Sequence, residues 1–194
     1  MARESGMDVP ECRLEKFSKQ GSTFLVKRFD RKGKRRIHFS SAMTLLGKTD
    51  GADSQDGSSY LELAEFIMRY GAEPERDLRE LWRRIVFSIA VSNTDDHLRN
   101  HGFLLSNAGW RLSPAYDINP NPQGYGLSLN ISESDNALDF SLALANAHSF
   151  RLSSSEAECI LKKVKGVVSR WKTYAYAVRI PRSKQEPMAT AFHY

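Results

Sequence analysis

Asn93-Thr94-Asp95-Asp96-His97-Leu98-Arg99-Asn100, then a short apolar passage, then Tyr116-Asp117-Ile118: this stretch gathers oxygen-bearing side chains around one return of the chain. Asp95 and Asn100 have the D-x-x-x-x-N spacing with which a phosphoryl-transfer loop places its base and a metal ligand, and Asp117 is placed to be a second ligand. The residue types suit the chemistry. Mg²⁺ takes oxygen ligands at about 2.1 Å in a near-octahedral array, with one or two protein carboxylates and the rest from phosphates and water. Asn100 and Asp117 meet that need. Asp95, left free of the metal, would accept the proton of an attacking hydroxyl, and Asp96 lacks the offset to Asn100. His97 stands too near Asp95 for a triad partner; it either hydrogen-bonds loop carboxylates or phosphate oxygens, or is purely structural. Taken alone, the spacing occurs by chance in many proteins, and Asn, Thr and Asp are common wherever a helix ends.

The elements around the loop give it a context. Upstream, Leu78, Leu81, Trp82, Ile85, Val86, Ile89 and Ala90 follow i, i+3, i+4 spacing, with Arg79, Glu80, Arg83 and Arg84 on the opposite face and Pro74 in the first turn. That pattern predicts an amphipathic helix running directly into Asn93. Downstream, Phe103-Leu104-Leu105 and Trp110-Arg111-Leu112 flank Asn107-Ala108-Gly109, a hairpin pattern. If residues 106 and 109 face each other, Asn100 lies opposite Ala115, and Asp117 returns to the loop two positions later.

The remaining chain divides at its Gly- and Ser-rich stretches. Met1 to Asp8 reads as the tail of a helix. Glu11 to Lys16 and Thr23 to Phe29, separated by Lys19-Gln20-Gly21-Ser22, predict a β-hairpin ending at Asp30. The basic run Arg31 to Arg36 either touches phosphate or is a solvated loop. Ser40 or Ser41 caps a short helix stopped by Gly47, and Gly47 to Ser59 is the best internal linker. Leu61, Ala64, Ile67 and Met68 mark a helix ended by Gly71 in the C′ position. Gln123 to Asn136 is either a loop over the site or a connection. Leu138 to Ala147 is helical; Ser153 or Ser154 then caps a helix, with Glu156 in its first turn, through Trp171, and a short helix follows Pro181. Two parts follow, residues 1–47 and residues 48–194.

Bulk properties narrow the setting. The 194-residue, 22.0 kDa chain is 41% hydrophobic and 26% charged, the composition of a globular protein, with a net charge of +5 that permits an anionic partner without selecting one. No stretch approaches the roughly 20 apolar residues of a membrane span. Arg3, Glu4, Asp8, Glu11 and Arg13 leave no apolar block for a secretory signal, and Cys12 and Cys159 lack a partner pattern, so the expected location is the cytoplasm, without membrane contact.

The run from Asn93 to Leu104, followed by Leu112-Ser113-Pro114-Ala115-Tyr116-Asp117-Ile118-Asn119-Pro120, resembles the catalytic core of the HipA family of bacterial toxin kinases. Histidine following the aspartate, in the form D-x-H-x-x-N, separates that family from ordinary protein kinases. Val26-Lys27-Arg28-Phe29-Asp30-Arg31 resembles its hinge strand, and Gly57-Ser58-Ser59-Tyr60 the start of its first large C-lobe helix.

The resemblance implies an α+β, protein-kinase-like fold: a mostly helical C-lobe, a small β remnant of the N-lobe and a catalytic-loop hairpin. It implies a serine/threonine protein kinase of a toxin–antitoxin system that uses ATP and Mg²⁺. Asp95 would be the base, His97 would lie beside the nucleotide, and Asn100 and Asp117 would hold Mg²⁺. Lys27 and Phe29 would meet adenine through their backbone, Asp30 would lie near the ribose, and Tyr116 would join the nucleotide site. The implied partners are a protein substrate, by analogy an aminoacyl-tRNA synthetase such as glutamyl-tRNA synthetase, and a helix-turn-helix antitoxin that brings nucleic acid in only indirectly. No Gly-rich loop or strand-borne lysine precedes the hinge strand, so the expectation is a C-lobe with the last part of an N-lobe, weak or inactive alone. Two alternatives stand beside it: a catalytically silent lobe that binds an antitoxin or another protein, and a metal-dependent phosphohydrolase using Asp95, His97 and Asp117.

Overall fold

The long helix expected before the loop, α3 (Pro74–Val91), is the axis of the molecule; a computed structural model describes it together with residues 1–18 and 21–194. Leu78, Leu81, Trp82, Ile85, Val86, Ile89 and Ala90 are all buried, which accounts for the apolar stripe. The opposite face is not wholly solvated as its charges suggest. Glu80 and Arg84 are buried, because the hairpin and the N-terminal segment cover that side. Arg84 donates to Glu80 (3.2 Å) and to the Ser113 carbonyl (2.5 Å), and Glu80 accepts from the Asp8 amide (3.0 Å). Asp77, also buried, receives the Leu112 amide and the Arg111 guanidinium. The buried charges are therefore paired, as burial requires.

Around α3 the chain lays down β1 (Cys12–Ser18), β2 (Gly21–Val26), β3 (Arg31–Lys32), β4 (Arg35–Arg36), β5 (Phe39–Ser41), α1 (Ala42–Leu45) and α2 (Tyr60–Tyr70). After α3 come β6 (Gly102–Ser106), β7 (Gly109–Leu112), α4 (Phe140–Ala145), α5 (Ser154–Val168), α6 (Trp171–Ala177) and α7 (Arg182–Gln185). Helices α2, α4 and α5 pack on α3, with the Trp82 indole donating to the Ala143 carbonyl at 3.3 Å. Among the described residues no helix is long and apolar enough to cross a membrane.

The expected first hairpin forms, with Cys12 opposite Val26 and Leu14 opposite Phe24, but β2 ends at Val26, short of Asp30. Beyond it Asp30 collects Arg28 and Arg31, and this charge cluster turns the chain out of the ladder. Of the expected turn, Lys19 and Gln20 lie outside the described residues, while Gly21 and Ser22 belong to β2. The basic run is a second small hairpin, β3 on β4, and not a plain loop. Residues 1–7 form one helical turn that closes through Gly6 at φ 91°, with Gly6 and Met7 amides bonded to the Arg3 and Ala2 carbonyls.

The caps were partly readable. Ser41 caps α1 and Gly47 follows at φ 66°, while Ser59 and Ser153 each form a capping box with the glutamate three residues on. Gly71 ends α2 in an extended conformation, φ −75°, and not as a left-handed C′ residue. Helix α5 stops at Val168; Trp171 begins α6 after a break. The expected helix at 138–147 is shorter, with Ala147–Phe150 tightening into a 3₁₀ turn.

The hairpin after the loop has the expected register, Ser106 opposite Gly109 and Phe103 opposite Leu112. Its other edge is covered by β5, Phe39 facing Leu104 and Ser41 facing Gly102. This third strand carries too few residues to show a period of its own. Gly102 lets Phe39 lie close over the strand: a Cβ would sit 2.2 Å from its ring, which would have to move aside.

Candidate active site

Helix α3 delivers the chain to the loop through a C-terminal turn of Schellman form, with the Asn93 amide on the Ser88 carbonyl (2.8 Å) and Ser92 on Ile89 (3.2 Å). Ser92 occupies the left-handed position usually given to glycine, at φ 49°. The D-x-x-x-x-N spacing then closes on itself. The Asn100 side-chain NH₂ donates to the Asp95 carbonyl at 3.0 Å, and the His97 amide donates to that same oxygen at 3.0 Å. Asn100 is thereby oriented with no protein donor on its Oδ1 among the described residues. The Asp95 carboxylate is exposed and engages no described residue, so it is open to a group approaching from outside.

Asp96 has the opposite character. It is buried and accepts from Tyr60 Oη (2.7 Å) and Ser88 Oγ (3.2 Å). His101 Nε2 lies 3.1 Å from its other oxygen, within ion-pair distance though out of line for a good hydrogen bond. Burial pushes this carboxyl up, but His101, Tyr60 and Ser88 together hold it below the usual aspartate value. Burial and the neighbouring Asp96 charge drive the Tyr60 phenol well up. Asp96 thus ties the loop to α2, α3 and the start of β6, while its neighbour Asp95 faces water.

His97 meets Arg99 at 3.0 Å through Nε2, and Arg99 pairs with Asp50. A guanidinium only donates, so Nε2 accepts and the ring proton of neutral His97 belongs on Nδ1, which is buried with no partner among the described residues. The ring lines a cavity of about 180 Å³ together with Thr49, Gly51, Asp53, Leu98 and Ser128.

The return segment is stitched to the loop at four points. Tyr116 Oη donates to the Arg99 carbonyl (2.7 Å), the Asn119 amide to Asn93 Oδ1 (3.3 Å), the Asn121 amide to the Ser92 carbonyl (3.0 Å), and Asn121 Nδ2 to Thr94 Oγ1 (2.9 Å). Asp117 is exposed and sits at φ 56°, a conformation aspartate tolerates better than most residues. One of its oxygens accepts from Asn119 Nδ2 at 2.7 Å; the other is unengaged. Asn100 and Asp117 therefore each present a free oxygen of the hard type Mg²⁺ prefers. Among the described residues no three His, Cys, Asp or Glu side chains group so as to hold a metal ion.

The hinge residues divide. Phe29 stacks on Tyr116, with centroids 5.8 Å apart and planes 25° apart, and Phe39 leans on both rings. The hinge is thus joined to the Tyr116-Asp117 return, and burial raises the Tyr116 phenol to about 12. Lys27 and Asp30 are engaged locally. Lys27 pairs with Glu11 at 3.0 Å and gives its amide to the Glu11 carbonyl; Asp30 is bound by Arg28 and Arg31, and the hydrogen-bonded Arg28 guanidinium holds it down at about 2.

Several participants escaped the sequence reading. The stretch from Gln123 to Asn136 is packed against the loop: Ser128 Oγ donates to the Thr94 carbonyl at 2.7 Å, and Leu127, Leu129 and Ile131 are buried. Their strict alternation was the available signal. The same segment bridges Ser59 through Asn130 and receives the Ser54 amide, anchoring the start of α2. Asp96 carried no signal beyond its position next to Asp95, and its partners come from three different elements, Tyr60 36 positions away among them.

A helical lobe, small sheets and a loop closed by an acidic return define a protein-kinase-like fold. The chain belongs to the HipA-like C-terminal domain family, whose profile matches residues 1–171. Among solved structures it resembles HipA in the Shewanella oneidensis MR-1 toxin–antitoxin HipA, HipB and operator DNA complex, with a TM-score of 0.80 at 16% identity, covering 98% of this chain and 50% of that one. It also resembles the Helicobacter pylori proinflammatory kinase CtkA, with a TM-score of 0.51 at 13% identity, over 84% of this chain and 77% of that one. Two curated proteins match in sequence: "Putative kinase" of Haemophilus influenzae, 33% identical over 141 residues, and "Putative kinase Y4dM" of Sinorhizobium fredii, 30% identical over 131 residues. The matches cover 66% and 61% of this chain but only 41% and 31% of those proteins.

Proposed function

We propose that this chain is the catalytic lobe of a HipA-like serine/threonine protein kinase, the toxin of a toxin–antitoxin pair, acting in the cytoplasm. The observation that carries the reading is the closure of Asn100 on the Asp95 carbonyl, which leaves the Asp95 carboxylate and Asn100 Oδ1 free beside the return bearing Asp117. Asp95 takes the proton of a protein hydroxyl; that oxygen forms a bond to the γ-phosphorus of ATP, and the bond to the β-phosphate oxygen breaks to release ADP. Asn100 and Asp117 would hold Mg²⁺, which when bound neutralises charge on the phosphates. His97, lining the adjoining cavity, would lie beside the nucleotide, and the Phe29–Tyr116 stack supports an adenine-side wall. Residues 1–47 form the hinge side of this arrangement and residues 48–194 the lobe.

The substrate is a protein hydroxyl, by family analogy that of an aminoacyl-tRNA synthetase. The partner class is a helix-turn-helix antitoxin, as the HipB and operator DNA of the Shewanella complex suggest by likeness of fold. One observation favours a second reading, a silent protein-binding module: Leu14, Phe17 and Phe24 on the first hairpin are 50–73% exposed. Transfer of labelled phosphate from ATP to proteins of a cell extract separates the two readings. The intact reading frame should label a protein band, with Mg²⁺ required, and Asp95→Gln and Asp117→Ala should each reduce labelling at least about 100-fold. Equal labelling by wild type and Asp95→Gln would remove the role given to Asp95. No labelling by either would favour the binding module.

A further inference from the structure

The family match ends at residue 171, yet the chain beyond it comes back to the root of the catalytic loop. Helices α6 and α7 and a 3₁₀ turn, Glu186–Ala191, bring Phe192 onto Trp171, where the two rings stack at 4.4 Å and 15°. This contact anchors the last residues, and Ala191 is fully buried beneath them. From that anchor His193 makes two contacts. Its amide donates to the Ala90 carbonyl at 2.8 Å, filling an acceptor that the C-terminus of α3 leaves open. Its ring nitrogen Nε2 lies 2.9 Å from Ser92 Oγ. Nearby, Thr190 Oγ1 donates to the Pro122 carbonyl at 3.4 Å.

These contacts fall at the two ends of the candidate active segment: Ser92 immediately precedes Asn93, and Pro122 follows the Asn121 that stitches the return to the loop. Ser92 is also the residue held at φ 49°, where a side chain is strained and glycine is at ease. Its carbonyl is taken by the Asn121 and Thr94 amides, so its hydroxyl is the remaining handle by which the tail restrains it.

We propose that residues 186–194 act as a strap that positions the catalytic loop, with His193 a positioning residue that holds Ser92 in its left-handed conformation and thereby sets the direction in which Asn93, Thr94 and Asp95 leave α3. The proposal rests on the kinase reading for its consequence and not for its geometry. Without the tie, the backbone hydrogen bonds of the turn alone hold Ser92, and the loop leaves its position more often. Phe192 sets the reach of the strap; His193 sets its grip.

Hydrogen–deuterium exchange on the full chain tests this. In His193→Ala the amides from Asn93 to His97 should exchange about tenfold faster, while those of α2 and α5 keep their wild-type rates. His193→Gln, which keeps a hydrogen-bonding side chain, should recover most of the protection. Ser92→Gly combined with His193→Ala should recover it too, since glycine holds the left-handed position unaided. Unchanged exchange in His193→Ala, or a uniform rise throughout the chain, would overturn the proposal. In the transfer assay kcat should fall in His193→Ala with the KM for ATP unchanged. Absence of transfer by the wild type would defeat the kinase reading and leave the exchange result standing.

Discussion

Replacing Asp96 by asparagine removes one charge from a carboxylate that is 5% exposed and serves Tyr60 Oη at 2.7 Å, Ser88 Oγ at 3.2 Å and His101 Nε2 at 3.1 Å. Asparagine keeps the shape and one acceptor oxygen, so the Tyr60 bond survives as a neutral one. Its NH₂ turns toward a group that carboxylate oxygen had served, and the attraction to His101 is lost. Each of the two charge-assisted hydrogen bonds reduced to a neutral one costs about 1 kcal/mol, and His101, whose attraction exists only when it is protonated, adds up to about 1 kcal/mol more. Asp96→Asn should therefore destabilise the fold by about 2–3 kcal/mol, measured by urea unfolding followed through the fluorescence of buried Trp82. The effect has a pH signature. The folded-state value of Asp96 is depressed, so its contribution is complete above the unfolded aspartate value near about 4 and is lost as pH falls through the folded value. The stability gap between wild type and variant should accordingly shrink as pH falls below about 4. A variant within about 0.5 kcal/mol of wild type at neutral pH, or a gap that grows in acid, would refute the assignment of Asp96 as the charged anchor of the loop.

Tyr60→Phe removes one donor from the same carboxylate without emptying its pocket, and should cost about 1–2 kcal/mol by the same unfolding measurement. Measured with Asp96→Asn in a double-mutant cycle, the two losses should be less than additive, because they share one bond. Gly102→Ala should push the Phe39 ring aside, move it off Tyr116 and lower stability by about 1 kcal/mol, read as a lower Tm. A neutral result at Gly102 would mean that the partly exposed Phe39 ring swings clear at no cost.

What the sequence determined by itself was local. The i, i+3, i+4 stripe of α3, the capping serines, the turn glycines and the hairpin register depend on residues a few positions apart, and each is written in a short window. The same applies to Asn100 closing on Asp95, a contact made within one turn of chain. The tertiary structure decided which of the loop's two aspartates is free and which is buried, because Tyr60, Ser88 and His101 reach Asp96 from other elements. It decided that Glu80 and Arg84 lie inside, since only the packed hairpin and N-terminal segment enclose that face of α3. It also decided where Ser128 and His193 meet the loop, contacts whose partners lie 34 and 101 positions away. No periodicity carries information over such separations; burial and hydrogen-bond satisfaction, which select these pairs, are properties of the folded chain alone.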